Sequence, residues 1–247
     1  MADEGSQNSA PDEIEKFARL ASSWWDETGP LATLHAINPL RTDYIAGRAE
    51  LDGARVLDVG CGAGILSESL ARRGAHVTGI DLARDSLQIA RDHAGQAGLE
   101  IDYREAGVEA IAAASPGAYD IVTCLELLEH VPNPDETIRA CAAAIRPGGA
   151  LFLSTINRNL KSFLLAIVGA EYVLGMLPRG THEYLKLIRP SELAGALRST
   201  SLELRELTGL HYNPLTRSYR LGGNVDVNYL AFARRPEERP QNGQGYA

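Results

Sequence analysis

Several features that mark whole classes of protein are scarce in this sequence of 247 residues. It has only three cysteines, an odd number at unrelated spacings, which argues against a disulfide framework and against a zinc site. No run of about 18 uninterrupted apolar residues occurs, so we expect no membrane-spanning helix. Lys and Arg number 24 against 32 Asp and Glu. The net charge of −8 argues against a general nucleic-acid-binding protein, because such a protein needs a basic surface to meet phosphates.

The two ends of the chain carry little that a folded core could bury. The first residues, MADEGSQNSAPDE, are acidic and polar, without the basic start and apolar stretch of a secretory signal, so we expect a cytoplasmic protein. Residues 1–12 and 234–247 are polar, and we expect both to be disordered. The remaining residues, 13–233, show no break in composition, and the apolar fraction of 45% is enough for one sizeable domain.

Short apolar runs alternate with segments of helical spacing from Arg55 onwards. Four of these runs predict strands: ARVLDVG, HVTGID, YDIVTCL and ALFLSTI. Such alternation is typical of an α/β fold in which helices cover both faces of a parallel sheet. Asn133 and Pro134 predict the start of a helix that ends near Ile145, because a cap is followed by a proline suited to the first turn.

The rest of the chain divides into recognisable segments. Apolar residues at helical spacing predict an amphipathic N-terminal helix from Ile14 to Trp25. An unusual stretch at about 157–190 is expected to be an insertion, followed by a helix from near Pro190. Two further runs, at 202–210 and 225–232, predict strands.

A glycine-rich loop gives the strongest functional signal. Gly60, Gly62 and Gly64 follow the first predicted strand, and a helix is expected to start at Ile65. Glycines at every second position let the backbone turn tightly and approach a ligand, which would meet the free N–H groups of the helix. The dinucleotide-binding pattern G-x-G-x-x-G would instead place its third glycine at Ile65. A loop that is rich in glycine only for tight turning is the alternative.

An acidic residue ends the second predicted strand. Asp81 lies 17 positions beyond Gly64. Ligands of such folds bind in the crevice at the carboxyl ends of parallel strands, where an aspartate can accept both hydroxyls of a ribose. The alternative is that Asp81 caps the helix that follows.

These motifs together resemble a known family. The glycine loop followed by a strand-terminal acid resembles class I S-adenosylmethionine-dependent methyltransferases, and further motifs over about 13–232 resemble the ubiquinone-biosynthesis O-methyltransferases. The further motifs are SWWD (23–26), LHAINPLR (34–41), TCLELLEHVPNP (123–134), STINRNLKS (154–162), VGAEY (168–172), GTHEY (180–184), TGLHYNP (208–214) and VDVNY (225–229). The resemblance implies a Rossmann-like α/β/α sandwich. It also implies a seven-stranded, mostly parallel sheet whose last strand is antiparallel, N-terminal helices and an insertion after the fifth strand.

The resemblance also implies a set of residues that bind S-adenosylmethionine. Arg41 is carried over as a cofactor contact, and a guanidinium can grip the methionine carboxylate with two hydrogen bonds. A surface arginine on a helix is the alternative. The remaining residues and their implied roles are the loop Gly60, Gly62 and Gly64 beside the methionine part, Asp58 ordering that loop, Asp81 on the ribose, Leu125 beside the cofactor and Glu105 near the adenine.

Glu126, Glu129 and His130 form a carboxylate–histidine cluster in LELLEH. In a helical turn these positions share one face, and two carboxylates with an imidazole suit Mg²⁺ or another divalent cation. The resemblance implies such a metal, which would make a phenol more acidic. His130 and Glu129 are also the candidate catalytic residues, with His182 and His211 as spare ligands or bases. Many metal-independent relatives carry a similar pair after this strand, where it positions the backbone and the cofactor.

The implied activity is O-methylation of polyprenylated phenols, catechols and quinols at two steps of ubiquinone synthesis, on 2-polyprenyl-6-hydroxyphenol and on 3-demethylubiquinol. Its substrates lie in lipid, and segment 160–178 is apolar, so we expect peripheral contact with the inner face of the cytoplasmic membrane unless this segment is a core helix. Other enzymes of ubiquinone synthesis are expected partners. The rival functions are a nicotinamide-dependent dehydrogenase, a non-catalytic member of a biosynthetic complex, and a methyltransferase of another small phenol.

Overall fold

Eight strands form a single sheet at the centre of the protein. The computed structural model describes residues 8, 10, 11, 13–15, 23–162 and 184–237. The strands are β1 (Arg55–Val59), β2 (His76–Asp81), β3 (Asp102–Glu105), β4 (Tyr119–Leu125), β5 (Ile145–Ile156), β6 (Glu203–Asn213), β7 (Ser218–Leu221) and β8 (Asn228–Arg234). Their order in the sheet is β3-β2-β1-β4-β5-β8-β6-β7, and β1 to β5 run parallel.

Helices cover both faces of this sheet, as the alternation of strands and helices predicts. They are α1 (Ala32–Ala46), α2 (Ile65–Ala71), α3 (Arg84–Gln96), α4 (Val108–Ala114), α5 (Pro134–Ala144), α6 (Leu160–Ser162) and α7 (Pro190–Arg198). Leu128–His130 and Tyr184–Lys186 are short 3-10 turns. One buried apolar cluster packs α4, α5 and α7 on the sheet, and another packs α1 and α2 on its opposite face. The fold is therefore the expected α/β/α sandwich.

The number of strands differs from the expected seven. β8 pairs antiparallel with β5, so the expectation of an antiparallel last strand is confirmed. The extra strand is β7, which pairs antiparallel with β6 at the sheet edge, with Tyr212 opposite Tyr219. Only four residues form it, and such a short edge strand has no apolar run that would reveal it in the sequence.

The predicted helix boundaries around the sheet are largely confirmed. The Asn133 side chain accepts a hydrogen bond from the Glu136 backbone N–H, and Pro134 is the first residue of α5. This helix ends at Ala144, where β5 begins. Such a cap supplies an acceptor to a backbone donor that the first helical turn leaves unpaired, so local chemistry alone sets this start.

The N-terminal segment departs from its helical pattern. Residues 13–15 are helical, but Trp24 and Trp25 lie in a turn, so the prediction that one helix reaches Trp25 is wrong. Tertiary contacts of both indoles, described below, hold that turn. The family resemblance implies N-terminal helices but does not predict the bounds of α1. Pro39 lies inside this helix, and proline removes a helical hydrogen bond.

The expectations for the insertion fall mostly outside the described residues. These expectations concern segment 160–178, of which only 160–162 are described, and His182, which is not. Within the described part of the chain, no helix is long and apolar enough to cross a membrane. All three cysteines of the sequence are described, and each is a buried free thiol.

Candidate functional site

A cavity of about 530 Å³ opens at the carboxyl ends of β1, β2 and β4. Ligands of parallel α/β sheets bind at this edge. Its wall includes six of the predicted site residues for the cofactor, namely Arg41, Asp58, Gly60, Gly62, Asp81 and Leu125. Glu126 and His130 also line it. The structure therefore brings together residues that the sequence spreads over 90 positions.

The glycine loop forms one wall of the cavity and requires its glycines. Gly60, Gly62 and Gly64 have φ values of 70°, 53° and 87°, a left-handed region that side chains with a Cβ rarely adopt. A Cβ on Gly62 would lie 2.3 Å from Trp24 Cη2. Gly64 does not line the cavity. It lies instead against Tyr103, whose hydroxyl would be 2.1 Å from a Cβ, so Gly64 serves close packing and the start of α2 at Ile65.

Asp81 ties the end of β2 to the glycine loop. Its Oδ2 accepts a hydrogen bond from Gly62 N–H at 2.9 Å, and its Oδ1 accepts one from Ala83 N–H at 2.8 Å. Burial raises the pKa of this carboxyl, although the backbone donors favour its charged form. Because each carboxylate oxygen has a second lone pair, Asp81 can still accept hydrogen bonds from a ligand in the cavity. It is not the cap of α3, whose cap residue is Ala83.

Asp58 is held from both sides beneath the loop. Ser67 Oγ donates to its Oδ2 at 2.6 Å and Thr123 Oγ1 donates to its Oδ1 at 2.7 Å. Burial raises the pKa of Asp58 to about 6, and the two hydroxyl donors oppose that rise. These bonds join β1 to α2 and β4, an arrangement that suits the predicted ordering of the loop.

Arg41 is a buried cation in the cavity wall. It lies on α1, and its side chain is 7% exposed. Its Nη2 is 2.9 Å from Glu126 Oε1, an ion pair whose angles are not those of a hydrogen bond. Its Nε and Nη2 have no hydrogen-bond acceptor among the residues that the structure describes. Buried donors of this kind are costly, so Arg41 is suited to bind an anionic group that enters the cavity.

The carboxylate–histidine cluster does not share one helical face, so that prediction is wrong. Glu126 has a φ of 53°, outside any helix, and only Leu128–His130 form a 3-10 turn. The Glu126 N–H bonds to the Ser154 carbonyl at the end of β5, and the Ser154 hydroxyl donates to Glu126 Oε1. These contacts with the neighbouring strand turn the backbone away from the helical path.

Glu129 and His130 have different surroundings. Glu129 does not line the cavity. Thr155 Oγ1 donates to its Oε2 at 2.8 Å, while its Oε1 is buried without a hydrogen-bond partner in the described structure. Burial, and next the charge of Glu126, raise the pKa of Glu129 to about 7. His130 does line the cavity, and its Nδ1 is 3.1 Å from Glu13 Oε2. The described residues contain no group of three His, Cys, Asp or Glu placed to hold a metal ion.

Another part of the cavity wall is apolar and aromatic. β6 and β7 contribute Leu210, Tyr212 and Tyr219, and α1 contributes Leu34 and Ile37. Two rings on adjacent strands, with centroids 4.8 Å apart, form a wall that suits a flat aromatic ligand.

Two further predicted residues have weaker positions. Glu105 is exposed and does not line the cavity, so nothing in its placement supports a contact with adenine. His211 lines the cavity, but its Nε2 is buried without a hydrogen-bond partner among the described residues. That atom is 2.7 Å from where a Cβ on Gly209 would lie, so it is packed into the protein.

Some residues of the site had no signal in the sequence. Trp24 covers Gly62, Ser154 binds Glu126 and Thr155 binds Glu129, and none of the three follows from a local pattern. The motifs SWWD and STINRNLKS contain them, so the family resemblance marks the segments without giving the contacts.

Comparison with known proteins agrees with this geometry. A family model described as "Methyltransferase domain" matches residues 34–207. A protein of Paracidovorax citrulli named ubiquinone biosynthesis O-methyltransferase is 59% identical over 93% of this chain and 97% of its own length. Proteins of the same name from Ralstonia nicotianae and Marinobacter nauticus are each 57% identical, over 93% and 94% of this chain and 97% and 98% of their own.

Solved structures share the fold at low sequence identity. Magnesium protoporphyrin IX methyltransferase from Synechocystis PCC 6803, solved with bound SAH, has a TM-score of 0.64 at 20% identity, covering 90% of this chain and 94% of that one. A [4+2]-cyclase named SpnF has a TM-score of 0.62 at 21% identity, covering 86% of each chain. The fold alone therefore does not select the reaction. The high-identity relatives do select the family, and this chain belongs to the ubiquinone biosynthesis O-methyltransferases.

Proposed function

We propose that the protein transfers a methyl group from S-adenosylmethionine to a phenolic hydroxyl of polyprenylated ubiquinone precursors. The proposed acceptors are 2-polyprenyl-6-hydroxyphenol and 3-demethylubiquinol, which correspond to both O-methylation steps. The observation that carries the proposal is that one cavity joins the glycine loop and Asp81 to an aromatic wall formed by Tyr212 and Tyr219. Two reactants can therefore meet in one enclosed space. The names of the relatives support the pathway.

The cavity has a place for each part of S-adenosylmethionine. The carboxylate would bind Arg41, whose Nε makes no hydrogen bond in the described structure and whose Nη2 lies beside Glu126. The ribose hydroxyls would bind the second lone pairs of Asp81. Gly60 and Gly62 allow the backbone to approach the methionine part, and Leu125 lies in the same wall. When bound, the cofactor supplies an electrophilic methyl group on a positively charged sulfur.

His130 is the proposed general base. His130 lines the cavity, its Nδ1 lies beside Glu13, and its imidazole is the group proposed to take the phenolic proton. A phenol has a pKa of about 10, so proton removal at neutral pH needs such help. Glu129 does not line the cavity, and its proposed role is to set the charge around His130.

A divalent cation such as Mg²⁺ is a further part of the proposal, held by Glu126, Glu129 and His130. Two carboxylates and an imidazole are donors that suit a hard cation, and Glu129 has a buried oxygen without a hydrogen-bond partner in the described structure. Burial, and next the charge of Glu126, raise the pKa of Glu129, and a bound cation would oppose that rise. The contact of His130 with Glu13 also resembles the support that metal-bound histidines receive. Glu126 would have to exchange Arg41 for the ion. A neutral imidazole has one ring-nitrogen lone pair, so metal ligation and general-base catalysis by His130 are alternative proposals.

The metal is tested by direct binding as well as by turnover. Metal-free protein is titrated with Mn²⁺, and bound ion is followed by electron paramagnetic resonance. Glu129→Gln should weaken Mn²⁺ binding, whereas Asp120→Asn, a carboxylate paired with Arg146 on β5, should not. If wild type binds no Mn²⁺ and keeps full activity in excess chelator, the metal is not part of the enzyme.

The reaction is tested with S-adenosylmethionine and a short-chain prenyl catechol, with product identified by mass spectrometry. We expect one added methyl group on oxygen, and the same activity on the corresponding demethylquinol. A catechol without a prenyl chain is the matched control. Equal kcat/KM for both catechols would favour a methyltransferase of another small phenol. Cofactor binding without any methyl transfer would favour the non-catalytic alternative. Tight binding of NADH but not of S-adenosylhomocysteine would favour a dehydrogenase.

Peripheral contact with the inner face of the cytoplasmic membrane is proposed from the substrate. A polyprenyl chain lies in lipid, and a protein that methylates its head group must approach it there. Segment 160–178 is apolar, and two leucines, Leu160 at its start and Leu185 seven residues beyond its end, are exposed. Neighbouring enzymes of the pathway act on the same lipid-borne intermediates and are proposed partners there.

Liposome sedimentation tests the membrane contact. Polar replacement of Phe163, Leu164, Ile167 and Leu174 should reduce sedimentation while methylation of a soluble catechol persists. Replacing several large side chains matters because each contributes about 1.5–3 kcal/mol when buried. Leu215→Ser is the matched control, since Leu215 is an exposed leucine outside the segment. A folded variant that sediments like wild type would place the contact elsewhere, and a variant that unfolds would identify the segment as core.

A further inference from the structure

The two tryptophans of the chain lie side by side on the glycine loop. Trp24 is buried, lines the cavity and contacts Gly62 so closely that no Cβ fits between them. Trp25 is half-buried, and its Nε1–H donates to the Ala63 carbonyl at 3.1 Å. The pair therefore forms a cover over the loop that is proposed to contact the cofactor.

The Trp25 ring is held from outside the cavity. His93 of α3 stacks on it with ring centroids 3.4 Å apart and an angle of 6° between planes. His93 Nδ1 is 2.6 Å from Glu68 Oε1, and Arg72 Nη2 is 2.8 Å from Glu68 Oε2. His93 and Glu68 do not line the cofactor cavity. We call Trp25, His93, Glu68 and Arg72 the clasp.

Burial of Glu68 restricts how the residues of the clasp can be arranged. The Glu68 side chain is only 2% exposed, so its carboxylate needs both of its partners to offset the loss of water. The contact with Glu68 restrains the His93 ring, and stacking on that ring restrains the Trp25 indole. Trp24 is the neighbouring residue in the chain, and His35 Nε2 lies 2.7 Å from its carbonyl oxygen. The position of Trp24 over Gly62 is therefore fixed by residues of α1, α2 and α3.

We propose that His93 and Glu68 are positioning residues of the cofactor site, which act by holding Trp24 against Gly62. This inference rests on the proposed binding of S-adenosylmethionine. If the cofactor binds only when Trp24 is held against Gly62, the apparent affinity equals the intrinsic affinity multiplied by the fraction of molecules in that state. Loosening the clasp lowers this fraction and so weakens cofactor binding without any change in the cavity wall. The reacting atoms are untouched, so kcat at saturating cofactor and KM for the phenol stay the same.

The test is calorimetric titration of the purified protein with S-adenosylhomocysteine, well below the unfolding temperature. His93→Ala should raise the Kd about two- to tenfold, the range that a stacked aromatic pair is worth. His93→Phe keeps a flat ring on Trp25 but loses the contact with Glu68, so its Kd should lie between those of wild type and His93→Ala, and it also tests the proposal if the alanine variant is unstable. His76→Ala is the control, since His76 is exposed at the start of β2.

Steady-state kinetics and fluorescence separate positioning from general destabilisation. His93→Ala should raise KM for the cofactor alone, and in a Trp24→Phe background it should shift the emission of Trp25, then the only tryptophan, to longer wavelength. An unchanged Kd in folded His93→Ala, or an equal loss in His93→Ala and His93→Phe, would overturn the proposal. Failure of wild type itself to bind S-adenosylhomocysteine would instead overturn the proposed function.

Discussion

Asp58→Asn should stabilise the protein relative to wild type by an amount that grows between pH 5 and pH 7. Burial raises the pKa of Asp58 from 3.8 to about 6, so its carboxyl holds a proton more tightly in the folded protein than in the unfolded chain. A group of this kind favours folding most when protonated, and its contribution is lost as pH rises through the folded pKa. Asparagine does not titrate, so the variant escapes that loss.

The pKa values give the size of the effect. A difference of about two units, at about 1.4 kcal/mol each, corresponds to a total loss of about 3 kcal/mol between acid and neutral pH. About half of that loss is already complete at pH 5, and most of the remainder, about 1.3 kcal/mol, appears between pH 5 and pH 7. The change in hydrogen bonding should add the same amount to the stability difference at every pH. The Ser67 and Thr123 hydroxyls can rotate, so that one donates to the asparagine oxygen and the other accepts from its NH₂ group.

The measurement is urea or thermal unfolding of both proteins at several pH values without cofactor. The difference between variant and wild type should widen by about 1.3 kcal/mol, or about 3–5 °C in Tm, from pH 5 to pH 7 and then stay level. Asp120→Asn is the control. Arg146 and Arg55 lower the pKa of Asp120 even though partial burial opposes them, so its difference from wild type should be constant over this range. A constant difference for Asp58→Asn as well would refute the reasoning.

Substitutions at three other residues test the proposed cofactor site through the Kd of S-adenosylhomocysteine. Asp81→Ala should weaken binding by about 1–3 kcal/mol, since ligand hydroxyls and loop N–H groups lose their acceptor, and near wild-type affinity would remove Asp81 from the ribose site. Arg41→Ala should weaken binding about tenfold or more, and Arg41→Lys should restore only part of it, because an ammonium cannot make two parallel bonds. Full restoration would exclude a two-pronged grip. Gly62→Ala should displace Trp24 and strain a φ of 53°, so unchanged affinity and tryptophan emission would contradict the close contact.

The strands and the loop at their ends were predictable because their signals are local. Apolar runs mark β1, β2, β4 and β5, and glycines that need positive φ mark the loop after β1. Since parallel strands end at one edge, the order of elements in the chain is enough to place Asp81, at the end of β2, near that loop. The start of α5 was equally local, because Asn133 caps it through its own side chain.

The carboxylate–histidine cluster shows where local reasoning fails. Its i, i+3, i+4 spacing would place three side chains together only in a helix, and contacts with Ser154 on β5 hold Glu126 in a left-handed conformation instead. Long-range contacts also override the helical pattern at Trp25, because its hydrogen bond to Ala63 and its stacking on His93 stabilise a turn there.

The sequence by itself determined the α/β class, the glycine loop and the acid at the end of the second strand, and its motifs determined the family. The class, the loop and the acid depend on backbone preferences or on the order of strands, which are properties of neighbouring residues. Only the tertiary structure decided that Arg41 faces Glu126, that Glu13 contacts His130, and that His93 holds Trp25 over the loop. These partners are distant in the chain. A buried charge or polar group has lost its water and must be paired with another group, and the fold decides which residues lie close enough to pair with it.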